Sequence, residues 1–281
     1  MNSNRTALIT GASSGFGLLT TITLARRGWR VLATMRDPNR RDRLEAAALD
    51  AGVREQIEFH RLDVTRPEEA ASLAATLAGR TLPALVNNAG FALPGFAEDT
   101  TDAELRSQLD TNFFGATAVT RAFLPQFRSQ RFGHIVMVTS ISGLMAFPGL
   151  SSYAASKFAL EGWTEALRYE LLPLGIYAVL VEPGSFDTDI WHRNAKPAAG
   201  LLDPASPNAA RALKWRHKVE HEIHRADPQV VADRIASILD NPRPRLRYVI
   251  GRDAHLGLMM RRILPRRVFE RFIIKSSGMD H

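Results

Sequence analysis

Short apolar runs suited to β-strands alternate with segments of helical period along almost the whole chain, and that alternation leaves few folds open. The runs are Arg5–Ile9, Arg30–Thr34, Ile57–Leu62, Ala84–Val86, His134–Thr139, Ile176–Val181 and Leu246–Gly251. Strands separated by helices pair in parallel, because each connection must cross over one face of the sheet and does so right-handedly. The expectation is a single doubly wound α/β domain over residues 1–281, with about seven parallel strands and helices on both faces. A chain of 281 residues that is 45 % hydrophobic can fill such a core.

The first strand runs straight into Thr10-Gly11-Ala12-Ser13-Ser14-Gly15-Phe16-Gly17, and a helical pattern follows through Leu18, Ile22 and Leu24 to Gly28. Glycines at 11, 15 and 17 allow a tight turn and close backbone approach to a pyrophosphate, whose charge the amides at the helix start would meet. The second strand ends at Met35 and Arg36 rather than at a carboxylate. A carboxylate there would bind a ribose 2′-hydroxyl, whereas an arginine favours a 2′-phosphate, with Ser14 able to donate a hydrogen bond. NADP(H) is therefore expected in preference to NAD(H), with Asp37 as contrary evidence. Asp63 and Val64 close the third strand where a carboxylate could reach an adenine amino group. Asn87-Asn88-Ala89-Gly90 ends the fourth with small and amide-bearing residues suited to close approach of a ligand.

Tyr153 and Lys157 stand four residues apart on an expected helix that ends near Leu172-Pro173. That spacing puts phenol and ammonium on one face, a turn apart. A free tyrosine titrates near ~10, so a neutral-pH proton transfer requires a phenolate stabilised by roughly 4 kcal/mol, and a fixed cation can supply much of it. Asn112 sits inside a helical segment expected over Asp102–Phe127, where asparagine is a poor helix former. Either its side chain bonds back to the helix or it is polar for chemistry.

Taken together, these motifs resemble the short-chain dehydrogenase/reductase family: T-G-x-x-x-G-x-G at 10–17, Asp63, N-N-A-G at 87–90, Asn112, Ser140, Y-x-x-x-K at 153–157, and Pro183-Gly184 with Thr188. Each motif is weak alone, but seven in order and spacing over residues 5–190 are specific. The resemblance implies a Rossmann-type NAD(P)-binding fold. It makes Tyr153 the general acid or base, and gives Lys157 the tasks of depressing its pKa and holding the nicotinamide ribose. Ser140 would bind the substrate oxygen, and Asn112 would hold a water linking Lys157 to solvent. Gly11, Ser13, Ser14, Gly15, Phe16, Gly17, Arg36, Asp63, Val64, Asn87, Ala89 and Gly90 would bind the cofactor with Tyr153 and Lys157, while Pro183, Gly184 and Thr188 orient its carboxamide. No metal is implied, and a homodimer or homotetramer is expected.

Large apolar residues follow the strand ends that should ring the site, among them Phe91, Leu93, Leu144, Phe147, Phe186 and Trp191. They suit a bulky, hydrophobic alcohol or ketone (steroid-, retinoid- or lipid-like) better than a sugar. Residues 190–227 have no place in the sheet pattern and are expected to form a partly helical flap over the mouth. Residues 252–281 form a basic amphipathic extension, similar to the extended carboxyl ends of steroid- and retinol-type members. It fits packing on the domain or a sister subunit, or peripheral contact with an anionic membrane. Two rival functions stand: reduction of 3-oxoacyl groups on an acidic carrier protein, and non-catalytic sensing of NADP(H).

Charge and composition narrow the field further. Of the formal net charge of +7, all is carried beyond residue 240, where 10 Lys+Arg face 3 Asp+Glu. A charge confined to one tail, with no reading motif beside it, argues against nucleic acid. Cysteine is absent, which excludes a thiol nucleophile, and the His217, His221, His224 row reads as a solvated helix face. Met1 to Arg5 is short and polar, unlike the start of a signal peptide, and no apolar run approaches the ~20 residues needed to span a bilayer. A cytoplasmic protein is expected, with peripheral contact at the inner membrane surface as the alternative that the basic tail leaves open.

Overall fold

Seven parallel strands form one sheet in the computed structural model, which describes residues 5–191, 193–221 and 224–279. The reading of the polar start at Met1–Asn4 lies outside the described residues. The strands are β1 (Thr6–Ile9), β2 (Arg30–Met35), β3 (Ile57–Arg61), β4 (Ala84–Asn87), β5 (Gly133–Val138), β6 (Ile176–Pro183) and β7 (Arg247–Ile250), in the order β3-β2-β1-β4-β5-β6-β7. Succession reverses between β1 and β4, and the crevice at such a reversal, beyond the carboxyl ends of the strands, is where a ligand can enter.

The helices flank the sheet as the alternation requires. They are α1 (Gly15–Arg26), α2 (Asp42–Asp50), α3 (Pro67–Thr76), α4 (Asp102–Leu109), α5 (Ala116–Gln130), α6 (Ser151–Leu171), α7 (Ala209–His221), α8 (Gln229–Asp240), α9 (Arg252–Ile263) and α10 (Arg266–Ser276). Side chains alternate across each strand, so one set, with Ala7, Ile9, Val31, Val136 and Val179, packs under α1 and α8. The other, with Leu8, Leu32, Leu85, Ile135 and Leu180, packs under α3, α5 and α6. Because both faces are buried, the strands read as continuous apolar runs.

One helix expected over Asp102–Phe127 is instead interrupted: a π-turn at Asp110–Gly115 separates α4 from α5, and α5 continues to Gln130. Such turns leave backbone groups without their usual partners and re-aim side chains. Asn112 sits in this turn. The segment after β6 carries short 3-10 turns at Asp189–Trp191 and Ala199–Leu202 and then α7, the partly helical covering expected there. Among the described residues, no helix is long and apolar enough to cross a membrane.

Candidate active site

The end of β1 and the end of β4 are locked together by Asn88. Its amide donates to the carbonyls of Thr10 (3.0 Å) and Gly11 (3.1 Å), while the Thr10 hydroxyl accepts from the backbone N–H groups of Asn88 and Ala89. This fit requires glycine. Gly11 has φ +66°, and a Cβ there would come within 2.8 Å of the Ala89 Cα; one on Gly17 would strike the Gly11 carbonyl and Asn88 Nδ2. Ser14, at the start of α1, makes no side-chain cap, and the first turn holds no acidic residue. The amides of that helix start are left facing a cavity of about 310 Å³ lined by Gly11, Ser13, Ser14, Gly15 and Phe16.

Along the cavity towards β2, Arg36 and Arg40 form part of the wall. Asp37 also lines it, but its carboxylate accepts from the Asn39 backbone N–H (3.0 Å) and faces Arg40 at 3.8 Å. The Asp63 carboxylate accepts from the Thr65 backbone N–H (3.0 Å) and hydroxyl (2.7 Å). Against burial, which opposes it, those bonds and the Arg36 charge hold Asp63 below the usual carboxylate range. These residues fit an adenosine phosphate: uncapped amides and two guanidinium groups meet negative charge, and the glycines clear room for it.

At the other end lie Ser140, Tyr153 and Lys157. Ser140 follows β5, and its Oγ accepts from the Ser142 backbone N–H at 3.1 Å, which leaves its own hydrogen available to the Tyr153 phenol. Burial pushes that phenol up to about 12, with the Ser140 bond opposing. Lys157 donates to the Val138 carbonyl at 3.0 Å and stands 5.6 Å from the Tyr153 ring centroid. Burial pulls its amine down to about 8, opposed by the Glu161 charge. Tyrosine and lysine are thus adjacent, as their spacing requires. Yet in the protein by itself desolvation outweighs the expected depression of the phenol, because the ammonium is aimed at a backbone carbonyl.

Two predicted residues take other places. The Asn112 side chain accepts from the Phe91 backbone N–H (3.1 Å) and donates to the Phe91 carbonyl (3.0 Å) and Ser156 hydroxyl (3.2 Å). It fastens the loop after β4 to α6, and Thr111 rather than Asn112 lines the cavity. Asn87 donates to the Thr120 hydroxyl (2.9 Å) on the opposite side of its strand, so Asn88 and not Asn87 meets the cavity. Strand alternation could have suggested this, since adjacent side chains point to opposite faces.

Of the apolar residues expected at the mouth, Phe91, Phe186 and Trp191 line the cavity, and Trp191 sets its ring edge towards Tyr153 with centroids 6.4 Å apart. Leu93, Leu144 and Phe147 do not line it. Leu93 is buried beside Gln108, and Leu144 packs on the small core of Ile141, Met145 and Ala254, while Phe147 bridges that core and the cluster holding Tyr153 and Trp191. Pro183, Gly184 and Thr188 reach the cavity, and with them Arg193, Asn194 and Lys196 from the following segment. Asn194 donates to the Ser14 hydroxyl (3.1 Å), tying that segment to the glycine turn. Nothing in the sequence pattern flagged these last three, because an irregular segment carries no period from which to read a facing side.

The model of the short chain dehydrogenase family matches residues 5–198, which hold the glycine turn, Ser140, Tyr153 and Lys157. The chain belongs to that family. It is an oxidoreductase. A short-chain dehydrogenase from Streptomyces avermitilis is similar over 100 % of both chains, with TM-score 0.82 and 34 % identity. Retinol dehydrogenase 8 of Bos taurus is 37 % identical over 86 % of this chain and 80 % of its own. The 3-ketodihydrosphingosine reductase of Bacteroides thetaiotaomicron is 34 % identical over 87 % of each.

Proposed function

We propose that this dehydrogenase interconverts a secondary alcohol and a ketone on a bulky hydrophobic substrate, using NADP(H). The observation that carries the reading is a buried tyrosine hydroxyl, bonded to Ser140, at the floor of a cavity walled by Phe91, Phe186, Ile190 and Trp191. The two relatives named for retinol and for 3-ketodihydrosphingosine support it, since both names denote long apolar molecules. The preference for a 2′-phosphate rests on Arg36 and Arg40 in the cavity wall and on Asp37, whose carboxylate is already engaged.

When bound, the dihydronicotinamide supplies hydride. The chain's own residues manage the oxygen of the substrate. Ser140 donates a hydrogen bond to it, and Tyr153 gives up its proton as charge develops there. The phenolate left behind is stabilised by the nearby Lys157 ammonium. In the oxidative direction the same hydroxyl receives the proton. Phe91, Phe186 and Trp191 exclude water, which strengthens each of these charge interactions.

The same reading keeps the protein in the cytoplasm as a homodimer or homotetramer. α9 supports it by packing Ala254 and Leu258 on Met145, while Met259 and Ile263 stay exposed as an apolar strip available to a neighbour. A test follows directly: purified full-length protein is mixed with apolar ketones of graded chain length, with NADPH and with NADH, and absorbance is followed. Oxidation of NADPH by the longer ketones is expected. Tight binding of NADPH without oxidation across the whole panel would replace the enzyme reading by the sensing one.

A further inference from the structure

α6 does not end its polar face at Lys157. Glu161 comes four residues later, so Tyr153, Lys157 and Glu161 stand one above another on a single helix face. Glu161 is 4 % exposed, and Glu182 on β6 is fully buried. Both carboxyls lean on one guanidinium. Arg247 on β7 contacts Glu161 Oε2 and Glu182 Oε1 (2.7 Å) through one nitrogen, and reaches Glu165 Oε2 at 2.6 Å through another. The remaining oxygens, Glu161 Oε1 and Glu182 Oε2, are buried and meet no donor.

Two buried carboxylates against one shared arginine carry surplus negative charge and two stranded acceptors, each a costly defect. One proton held between the carboxyls removes both defects. The cluster then balances charge for charge, Lys157 and Arg247 against one carboxylate of the pair and Glu165. Burial and the Glu161 charge push the Glu182 carboxyl up, in the same sense. The loop that begins at Ser140 closes directly on this pair: a side chain on Gly143 would come within 2.8 Å of Glu161 Cγ.

We propose that Glu161 and Glu182 share a proton and act as a positioning pair for Lys157, setting how firmly that amine keeps its charge beneath Tyr153. The proposal rests on the role given above to Lys157. The charged groups facing the pair are Lys157 and Glu165 from α6 and Arg247 from β7. Glu161 raises the Lys157 pKa against burial. As pH rises and the shared proton leaves, the added negative charge tightens the lysine's hold on its own proton. Ammonium is thereby kept in the site at pH values where burial alone would discharge it.

Two isosteric variants test this, read by NMR titration of isotope-labelled lysine and by thermal melting against pH, neither of which needs turnover. In Glu161→Gln the Lys157 titration, and the alkaline limb of kcat/KM with it, should move to lower pH by about one unit or more, the size a charge within about 4–6 Å produces. The Glu182→Gln variant tests the shared proton. With its folded pKa raised, Glu182 keeps a proton that the unfolded chain releases, so wild-type stability should fall as pH climbs from the ordinary glutamate range to the pair's own midpoint. Glu182→Gln should flatten that decline. An unmoved Lys157 titration in Glu161→Gln, or an unchanged slope of melting temperature in Glu182→Gln, overturns the proposal even where ketones are reduced. Shifts in both sustain it even if the substrate panel fails.

Discussion

Replacing Tyr153 by phenylalanine removes one oxygen and leaves the ring, which is 3 % exposed and packed edge-on to Trp191. At pH 7 a phenol held at about 12 lies five decades from ionisation, so baring its phenolate costs roughly 7 kcal/mol in the protein by itself. The group is therefore set as a proton donor, and ketone reduction should run flat through neutral pH until Lys157, pulled down by burial, discharges at about 8. Alcohol oxidation needs the opposite form and should climb with pH. Loss of the donor should lower kcat by about 10²–10⁴, or roughly 3–5 kcal/mol of barrier. Stability should hardly suffer: one hydrogen bond is lost, worth at most about 1.5 kcal/mol, and melting should drop by no more than about 5 °C. The assay is NADPH absorbance with an apolar ketone, beside cofactor binding by fluorescence, which should stay within about threefold of wild type. If Tyr153→Phe kept more than about a tenth of kcat, or if wild-type reduction rose with pH, the hydroxyl would have no part in moving the proton.

Three further outcomes are expected. Arg36→Asp should reduce kcat/KM for NADPH by about 10–100-fold relative to NADH, as loss of a charge-assisted contact of about 1.5–3 kcal/mol implies, and an unchanged ratio would remove Arg36 from the 2′-phosphate. Trp191→Ala should raise KM for long apolar ketones by about tenfold or more while leaving NADPH affinity alone; a fall in NADPH affinity only would make Trp191 a cofactor residue. Reversal of charge at Arg266, Arg267 and Arg271, all exposed on α10, should leave turnover of free ketones unchanged. A loss confined to carrier-linked substrates would favour the 3-oxoacyl reading. Deleting residues 253–281 is a poorer test, because Ala254 and Phe269 pack on Ile141 and Met145, in the loop that starts at Ser140.

Much of this architecture was legible in the sequence because it depends on period and on backbone requirement. The strands announce themselves by burial on both faces, and Gly11 and Gly17 by contacts that admit no Cβ. What escaped was everything decided by which way a side chain leaves an irregular backbone. Leu144 follows a site strand as Phe186 and Trp191 do, yet it turns into a core completed by α9, more than a hundred residues later in the chain. Asn87 ends β4 with its side chain turned to Thr120, and Asn88 one residue on turns to the glycine turn after β1. Arg193, Asn194 and Lys196 come to the cavity through tertiary bonds such as that from Asn194 to Ser14.

The carboxyl pair behind Lys157 shows the same limit from the other side. Glu161 was readable as a neighbour of Lys157 by helical spacing, but Glu182 and Arg247 lie on β6 and β7, where the parallel register pairs Arg247 with Leu180 and so leaves Glu182 two residues along the same face, within reach of the guanidinium. Register, not local sequence, makes one guanidinium answer two buried carboxylates. A motif therefore names the residues that touch the reaction, while the charge environment that tunes them is assembled across elements. In this chain that environment reaches Tyr153 through one helix face, from Arg247 by way of Glu161 and Lys157, so substitutions on β7, outside the cavity lining, should register in its pH profile.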